Sequence, residues 1–225
     1  MRACFVTGTD TGVGKTVLAA AMLAALRARG LDVHALKPVI TGLDDPPDPL
    51  WPADHVLLAR ITGSTPAHVA PLGYGPAVSP HLAAELESRP LDPAALRESI
   101  RSARRGPGDA LIVEGVGGLL VPLGDGYDVR ELILDVELPV VIAARPGLGT
   151  INHTLLTLEA ARELDVRAVV ITPWPDAPDV LARSNRDTIA RLTDVPVSTL
   201  AAVARPDPEL LAQAGAALPL DDWLA

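Results

Sequence analysis

The sequence predicts an α/β fold, a doubly wound and mostly parallel sheet with helices on both faces. Three observations predict it. Short apolar runs recur at 3–7, 110–113, 140–144 and 168–172, and they are continuous rather than alternating, as in strands buried on both faces. Segments of helical spacing lie between them, and strands alternating with helices at this interval build a parallel sheet. Glycine-rich turns follow the first three of these runs, at the strand ends where such sheets bind ligands.

Residues 3–7 form the first strand. Gly8-Thr9-Asp10-Thr11-Gly12-Val13-Gly14-Lys15-Thr16 then leads into an Ala- and Leu-rich helix over 17–29. Strand, glycine loop, helix is the context of a phosphate-binding loop, or P-loop. Glycines let backbone N–H groups turn inward into an anion-binding concavity. The helix adds its free N–H groups and the positive end of its dipole. Gly12, Val13, Gly14, Lys15, Thr16 and Val17 are therefore expected to bind a nucleoside triphosphate, with Lys15 on the outer phosphates and Thr16 on Mg²⁺. Five residues separate Gly8 from Gly14, one more than the general motif allows, so a bare pattern match would reject the loop. With this loop the fold class becomes P-loop NTPase-like.

Leu18, Met22, Ala25 and Leu26 form one helical stripe toward the sheet, and Gly30 is placed to end the helix. Residues 32–37 give a second strand ending at Lys37, where Pro38 turns the chain away. The loop 42–53 carries four prolines, which forbid a helix. Asp54 stands at the N-cap position of a helix over 55–62. Residues 66–80 are rich in Pro and Gly. Ser79-Pro80-His81 opens a helix to about Glu87, with proline at its first position, and another helix follows Asp92-Pro93.

The strand 110–113 closes on Glu114-Gly115-Val116-Gly117-Gly118. A carboxylate closing a buried strand is costly unless it is paired or holds a metal. In a P-loop protein this is where a second Mg²⁺-directed acid belongs. After 140–144, Gly147-Leu148-Gly149-Thr150-Ile151-Asn152-His153 opens a helix to about Leu164. Strands follow at 168–172 and 195–200, and a helical finish is expected over 201–225.

At 225 residues, one domain over 1–225 is expected. Hydrophobic residues make up 48%, yet the aromatics are three Trp, two Tyr and one Phe, so the core is aliphatic. The net charge of −9 argues against a nucleic-acid partner. Arg101, Arg104 and Arg105 read as one solvated helix face. Cys4 is the only cysteine and reads as a buried thiol in a reducing cytoplasm. No secretory leader is apparent, and no apolar run reaches about 18 residues, so no membrane span is expected. His34, His55, His68, His81 and His153 lack metal-ligand spacing, and no zinc site is expected. The chain has two lysines, Lys15 and Lys37, both at strand ends; every other basic residue is Arg. A compact ammonium is not interchangeable with a planar guanidinium, so both lysines are candidates for chemistry.

Taken together, these stretches resemble the dethiobiotin synthetase family. The resemblance rests on Val6-Thr7-Gly8-Thr9-Asp10-Thr11 with Val13-Gly14-Lys15-Thr16, Lys37-Pro38-Val39 with Gly42, Ser79-Pro80-His81, Val113-Glu114-Gly115 with Gly117-Gly118, and Ile151-Asn152-His153. The lengthened loop is the form that family uses. The resemblance implies a cyclo-ligase of biotin biosynthesis. Its substrates would be 7,8-diaminononanoate, CO₂ or bicarbonate, and ATP or another nucleoside triphosphate. Lys37, Lys15 and Thr11 would be catalytic. Thr16, Asp54 and Glu114 would hold Mg²⁺, while Glu114, Thr172 and Pro173 would join the P-loop around the nucleotide. Thr11, Lys37, Thr41, Gly117, Gly118, Gly147, Leu148, Gly149, Thr150 and Asn152 would bind the diamine. The family's active site spans a homodimer interface, which implies a homodimer here.

The chain also departs from the family. Gly12 stands where an acid commonly follows Thr11, and Thr172-Pro173-Trp174-Pro175 stands where an Asn commonly reads adenine. Leu200-Ala201-Ala202-Val203 lacks the Gly-x-Ile-Pro pattern expected to frame the base. Two other readings share the fold. A P-loop ATPase switch of the partition or maturation type often carries an extra lysine early in its loop, and Gly8-Thr9-Asp10-Thr11 has none. An amidotransferase-type synthetase needs a nucleophilic Cys, and Cys4 lies in a strand before the loop.

Base recognition follows from Pro173, which offers neither an amide side chain nor an N–H. Discrimination comes mainly from polar groups that the wrong ligand leaves unpaired. ATP is therefore expected to be preferred over CTP and GTP by less than about a hundredfold in kcat/KM, as measured across a nucleotide panel.

Overall fold

The computed structural model describes residues 2–224 except 47, 104, 105 and 107. Arg104 and Arg105 of the basic cluster thus lie outside the described residues. In chain order the elements are β1 (Arg2–Gly8), α1 (Lys15–Ala28), β2 (Val33–Leu36), α2 (Asp54–Thr62), α3 (Pro66–Val69), α4 (Pro80–Leu86), α5 (Pro93–Ala103) and β3 (Ala110–Glu114). There follow β4 (Pro122–Gly124), β5 (Tyr127–Asp128), α6 (Val129–Val136), β6 (Val140–Ala144), α7 (Thr150–Ala160), β7 (Val166–Trp174), α8 (Val180–Leu192), β8 (Val197–Ala201), α9 (Pro208–Ala216) and α10 (Leu220–Trp223).

Six strands form one sheet in the order β2-β3-β1-β6-β7-β8, and every neighbouring pair is parallel. The continuous apolar runs therefore lie where sequence placed them. Alternate residues of each strand serve opposite faces: Cys4 and Val6 pack with α1, α2 and α9, whereas Ala3 and Phe5 pack with α4, α5 and α6. Register brings the site together. Val6 pairs with Glu114 and Leu36 with Val113, so one step further Lys37 comes beside Glu114 at the carboxyl edge.

The structure differs from expectation in instructive places. Helix α1 is buried all along Leu18–Leu26, not on one stripe alone, because α9 covers the side turned away from the sheet. Asp54 is the first residue of α2, not its N-cap; Ala53 holds the cap position and Asp54 points its carboxylate elsewhere. Helix α7 ends at Ala160, short of Leu164, and β7 continues through Pro173 to Trp174. The two-stranded β4–β5 hairpin was not foreseen, although Gly124-Asp125-Gly126 carries its turn signal. Among the described residues, no helix is long and apolar enough to cross a membrane.

Gly215 fixes the α1–α9 contact. A Cβ there would meet the Ala21 carbonyl oxygen at 2.1 Å and its carbon at 2.6 Å. Backbone cannot yield as a side-chain tip can. Gly215→Ala should therefore force the helices apart and cost about 1–3 kcal/mol in urea unfolding. An unchanged unfolding midpoint would show that α9 shifts freely on α1.

Candidate active site

The P-loop leaves β1 and enters α1 through two left-handed glycines. Gly12 has φ 73° and Gly14, the N-cap of α1, has φ 93°. Glycine takes this left-handed φ at position 12 without strain, and a Cβ there would meet nothing within 4 Å. Asp10 shapes the loop from both its ends: its carboxylate accepts from the Thr11 N–H at 2.7 Å, and its carbonyl accepts from Lys15 Nζ at 2.8 Å. Val13 is buried, facing Gly8, where a Cβ would meet its methyl at 2.7 Å. Gly118 backs the loop so closely that a Cβ there would sit 3.3 Å from the Gly8 carbonyl.

Beyond the loop, three charges meet. Lys37 Nζ lies 2.6 Å from Glu114 Oε1 and 2.6 Å from Asp54 Oδ2. The Thr16 hydroxyl donates to the same Glu114 oxygen at 2.8 Å. Lys37 and Glu114 are both buried. Burial alone would lower the Lys37 pKa, but Glu114 and Asp54 outweigh it and hold the ammonium well above the usual lysine range. Burial raises Glu114, and Lys37 only partly offsets this. Asp54 feels burial too, yet its pairing with Lys37 keeps it below the usual carboxylate range. Burial, reinforced by the Lys37 charge, pushes Lys15 down to about 8 against the pull of Glu114.

A cleft of about 760 Å³ opens over these groups. Of the residues expected from sequence, Thr11, Gly12, Gly14, Lys15, Thr16, Val17, Lys37, Thr41, Asp54, Glu114 and Gly117 line it. Val13 and Gly118 stand behind its wall. Thr172 packs on the loop from the far side, with its methyl 3.0 Å from where a Gly14 Cβ would be, and Pro173 follows it. The turn Gly147-Leu148-Gly149-Thr150-Ile151-Asn152 does not line this cleft; it lies at the carboxyl end of β6, with Leu148 82% exposed.

Sequence reasoning missed Ile40, Asp45, Trp51, Val78 and Val121 in the lining. Trp51 could have been flagged as an aromatic in a proline-rich loop; Ile40 and Val121 carry no local signal. Nor did it foresee that His34 would lie 3.7 Å from Asp32 and 3.8 Å from Asp109, because that meeting needs β2 to pair with β3. It lies at the amino end of the sheet, opposite the cleft.

The donors fit a hard cation. Thr16, Asp54 and Glu114 offer only oxygen, and Glu114 Oε2 is buried with no hydrogen-bond partner. A buried carboxylate oxygen is costly when left so, and Mg²⁺ takes oxygens of this kind.

A left-handed glycine loop at a helix N-terminus, with a lysine and a carboxylate at the neighbouring strand ends and a second carboxylate at the start of α2, defines a P-loop nucleotide-binding protein. The family model described as an AAA domain matches residues 2–207. The ATP-dependent dethiobiotin synthetase of Mycolicibacterium gilvum is 44% identical over 197 residues, 84% of this chain and 83% of that protein. The synthetase of Mycobacterium sp. strain KMS is 38% identical over 100% of this chain and 99% of its own. The chain belongs to the ATP-dependent dethiobiotin synthetase family. Solved structures agree on the fold alone. Cobyrinic acid a,c-diamide synthase from Mycobacterium smegmatis superposes with TM-score 0.52 at 16% identity, covering 96% of this chain and 91% of that one. A putative plasmid partition protein from Borrelia burgdorferi gives 0.53 at 12%, covering 94% and 96%. The partition-type switch is therefore not favoured, since its likeness goes no further than the fold.

The buried Lys37–Glu114 pair makes a stability prediction. Lys37→Met leaves Glu114 buried and unpaired, and should cost about 3–5 kcal/mol in denaturant unfolding. Adding Glu114→Leu should recover most of that loss. Strict additivity of the two substitutions would show that the pair is not coupled.

Proposed function

We propose that this chain, working as one domain over 1–225 and as a cytoplasmic homodimer, closes the ureido ring of dethiobiotin. Its substrates are 7,8-diaminononanoate, CO₂ and a nucleoside triphosphate, with Mg²⁺. The observation that carries this reading is the buried Lys37 ammonium, held between Glu114 and Asp54 on the floor of the cleft that the P-loop walls. A nucleotide switch has no use for a second buried lysine there. A reaction that builds an anion beside the γ-phosphate does.

The chemistry follows from the charges. An ammonium cannot attack CO₂, so one diamine nitrogen must lose a proton first. Nearby cationic lysines lower its pKa by like-charge repulsion. Its lone pair adds to CO₂ and the nitrogen releases a second proton to solvent, leaving a carbamate whose negative charge Lys37 and Lys15 stabilise. A carbamate oxygen attacks the γ-phosphorus and displaces the nucleoside diphosphate, leaving a carbamic–phosphoric anhydride. The second amine attacks the carbonyl carbon, expels inorganic phosphate and loses its proton, and the ring is closed. Thr11 and Thr41, which line the cleft, offer hydroxyls to the diamine, and Gly117 lets it approach the backbone, with Gly118 packed behind it against the P-loop. Thr16, Asp54 and Glu114 would hold Mg²⁺, which when bound supplies charge neutralisation to the phosphates. Thr172 and Pro173 border the base.

The diamine's far carboxylate needs its own anion site, and both lysines are already engaged. The free N–H groups of the turn 147–152 and the dipole of α7 suit it. That this turn stands off its own chain's cleft supports its serving a partner's site. Leu148 and Leu156, 82% and 60% exposed on this turn and helix, support an interface there.

Phosphate release should require the diamine and bicarbonate together; release that instead depends on a protein or DNA partner would overturn the reading. In the same assay Lys37→Arg should lose about 10²–10³ in rate, because a fork cannot replace a point charge. Glu114→Gln should fail at saturating Mg²⁺ as well. A Lys37→Arg enzyme close to wild type would reduce Lys37 to a structural cation.

Shared sites make a sharper prediction. Lys37→Ala and a Gly149→Glu, Asn152→Glu variant should each be inactive. On subunit exchange a mixed dimer has one site with both lesions and one with neither, so roughly a quarter of wild-type activity should return by random pairing. No recovery despite proven exchange would put the whole site within one chain.

A further inference from the structure

Helix α8 turns a stripe of Ala182, Asn185 and Ile189 inward, so an amide lies where the spacing calls for an apolar residue. Asn185 is 5% exposed. Its Nδ2 donates to the carbonyl of Pro146 at 2.9 Å and to that of Gly147 at 3.1 Å. Both partners are carbonyl oxygens, so only the nitrogen of the amide can face them. A side chain 38 residues further along the chain thus bonds to two successive peptides of the turn between β6 and α7.

The consequence follows from peptide geometry. Both peptides are trans, the one cis bond among the described residues being Thr172-Pro173. In a trans peptide the C=O and the following N–H point in opposite directions across one plane. Turning the Pro146 and Gly147 carbonyls toward α8 therefore turns the Gly147 and Leu148 N–H groups away from it. Those two N–H groups have no hydrogen-bond partner among the described residues. Leu148, Gly149 and Asn152 of the same turn are exposed. The Gly147 carbonyl also accepts from the Thr150 N–H at 3.3 Å, which ties the turn to the first residue of α7.

We infer that Asn185 is a positioning residue for the reaction: it holds the 146–147 peptides so that two amide donors are aimed at the substrate carboxylate. This rests on the reading that the 147–152 turn receives that carboxylate. Asn185 touches no reacting atom. Its effect passes through two carbonyls, and without it the peptide planes are free to rotate, at the entropic cost that preorganisation otherwise spares the ligand.

The test reads binding, apart from turnover, with nonanoate as the probe because it carries the carboxylate and the chain but no amines. In ¹⁵N-labelled wild-type protein, nonanoate should shift the Gly147 and Leu148 amide signals in a saturable way. Asn185→Leu keeps the bulk and loses the donor; Asn185→Asp keeps the shape and, ionised, also loses it. Whichever of the two retains the native circular dichroism and the wild-type ATP affinity should bind nonanoate about tenfold or more weakly. Unchanged nonanoate affinity in a folded variant overturns the inference. So does a parallel loss of ATP and nonanoate binding, which would mark Asn185 as structural, and so does a wild-type protein whose Gly147 and Leu148 signals do not respond. Diamine turnover by the wild type is measured separately. Its absence would count against the proposed function, while the amide shifts would still report on Asn185.

Discussion

A buried ammonium must be answered by buried acid, and the cleft is built around that requirement. Lys37 emerges from β2 where the sheet ends and meets Glu114 in the same plane because β2 and β3 pair in register. One carboxylate does not complete the arrangement, and Asp54 comes from across the proline-rich loop to supply the second. Helix α2 therefore begins where a carboxylate is needed. The same Glu114 oxygen takes the Thr16 hydroxyl, which ties the P-loop helix to the second and third strands. Ion clusters of this sort contribute little net stability compared with well-packed apolar groups of the same volume. Their presence in a chain otherwise nearly half hydrophobic points to chemistry rather than to folding.

The scaffold that carries this cluster is rigid where the cluster needs it. Helix α1 is buried along most of its length by small side chains, and alanine lets the sheet and α9 approach from two sides. Its N-terminus is thereby held in place, and the glycines of the loop are free to take left-handed values without loosening the helix they cap.

Much of this was legible in the sequence. The strands were, because a short continuous apolar run bounded by turns has little use in a globular chain except as a strand buried on both faces. The loop was, because its glycines, lysine and threonine each have a distinct physical use. Asp54 was less so: its position fits a cap, and only the fold reveals that its carboxylate turns toward Lys37. Trp51, Ile40 and Val121 enter the cleft through long-range packing that no local pattern encodes. The breadth of burial on α1 was missed for a related reason. A single apolar stripe suits a helix with one neighbour, and this helix packs against the sheet, α2 and α9. Asn185 stayed hidden because an amide on an amphipathic helix resembles a solvated residue until its two carbonyl partners, far away in sequence, are in view.

The contact between α1 and α9 has a consequence for biogenesis. Residues 15–28 leave the ribosome before 208–216, which cover them and are made nearly two hundred residues later. At synthesis rates of about 5–20 residues per second, the alanine- and leucine-rich flank of α1 stays uncovered for roughly ten seconds or more. The sheet cannot shield it, since that flank faces away from the strands. During this interval the nascent chain displays an apolar helix to chaperones and to its own neighbours on the polysome. Crowded expression thus threatens this chain through its phosphate-loop helix, which stays sticky until the last layer is in place.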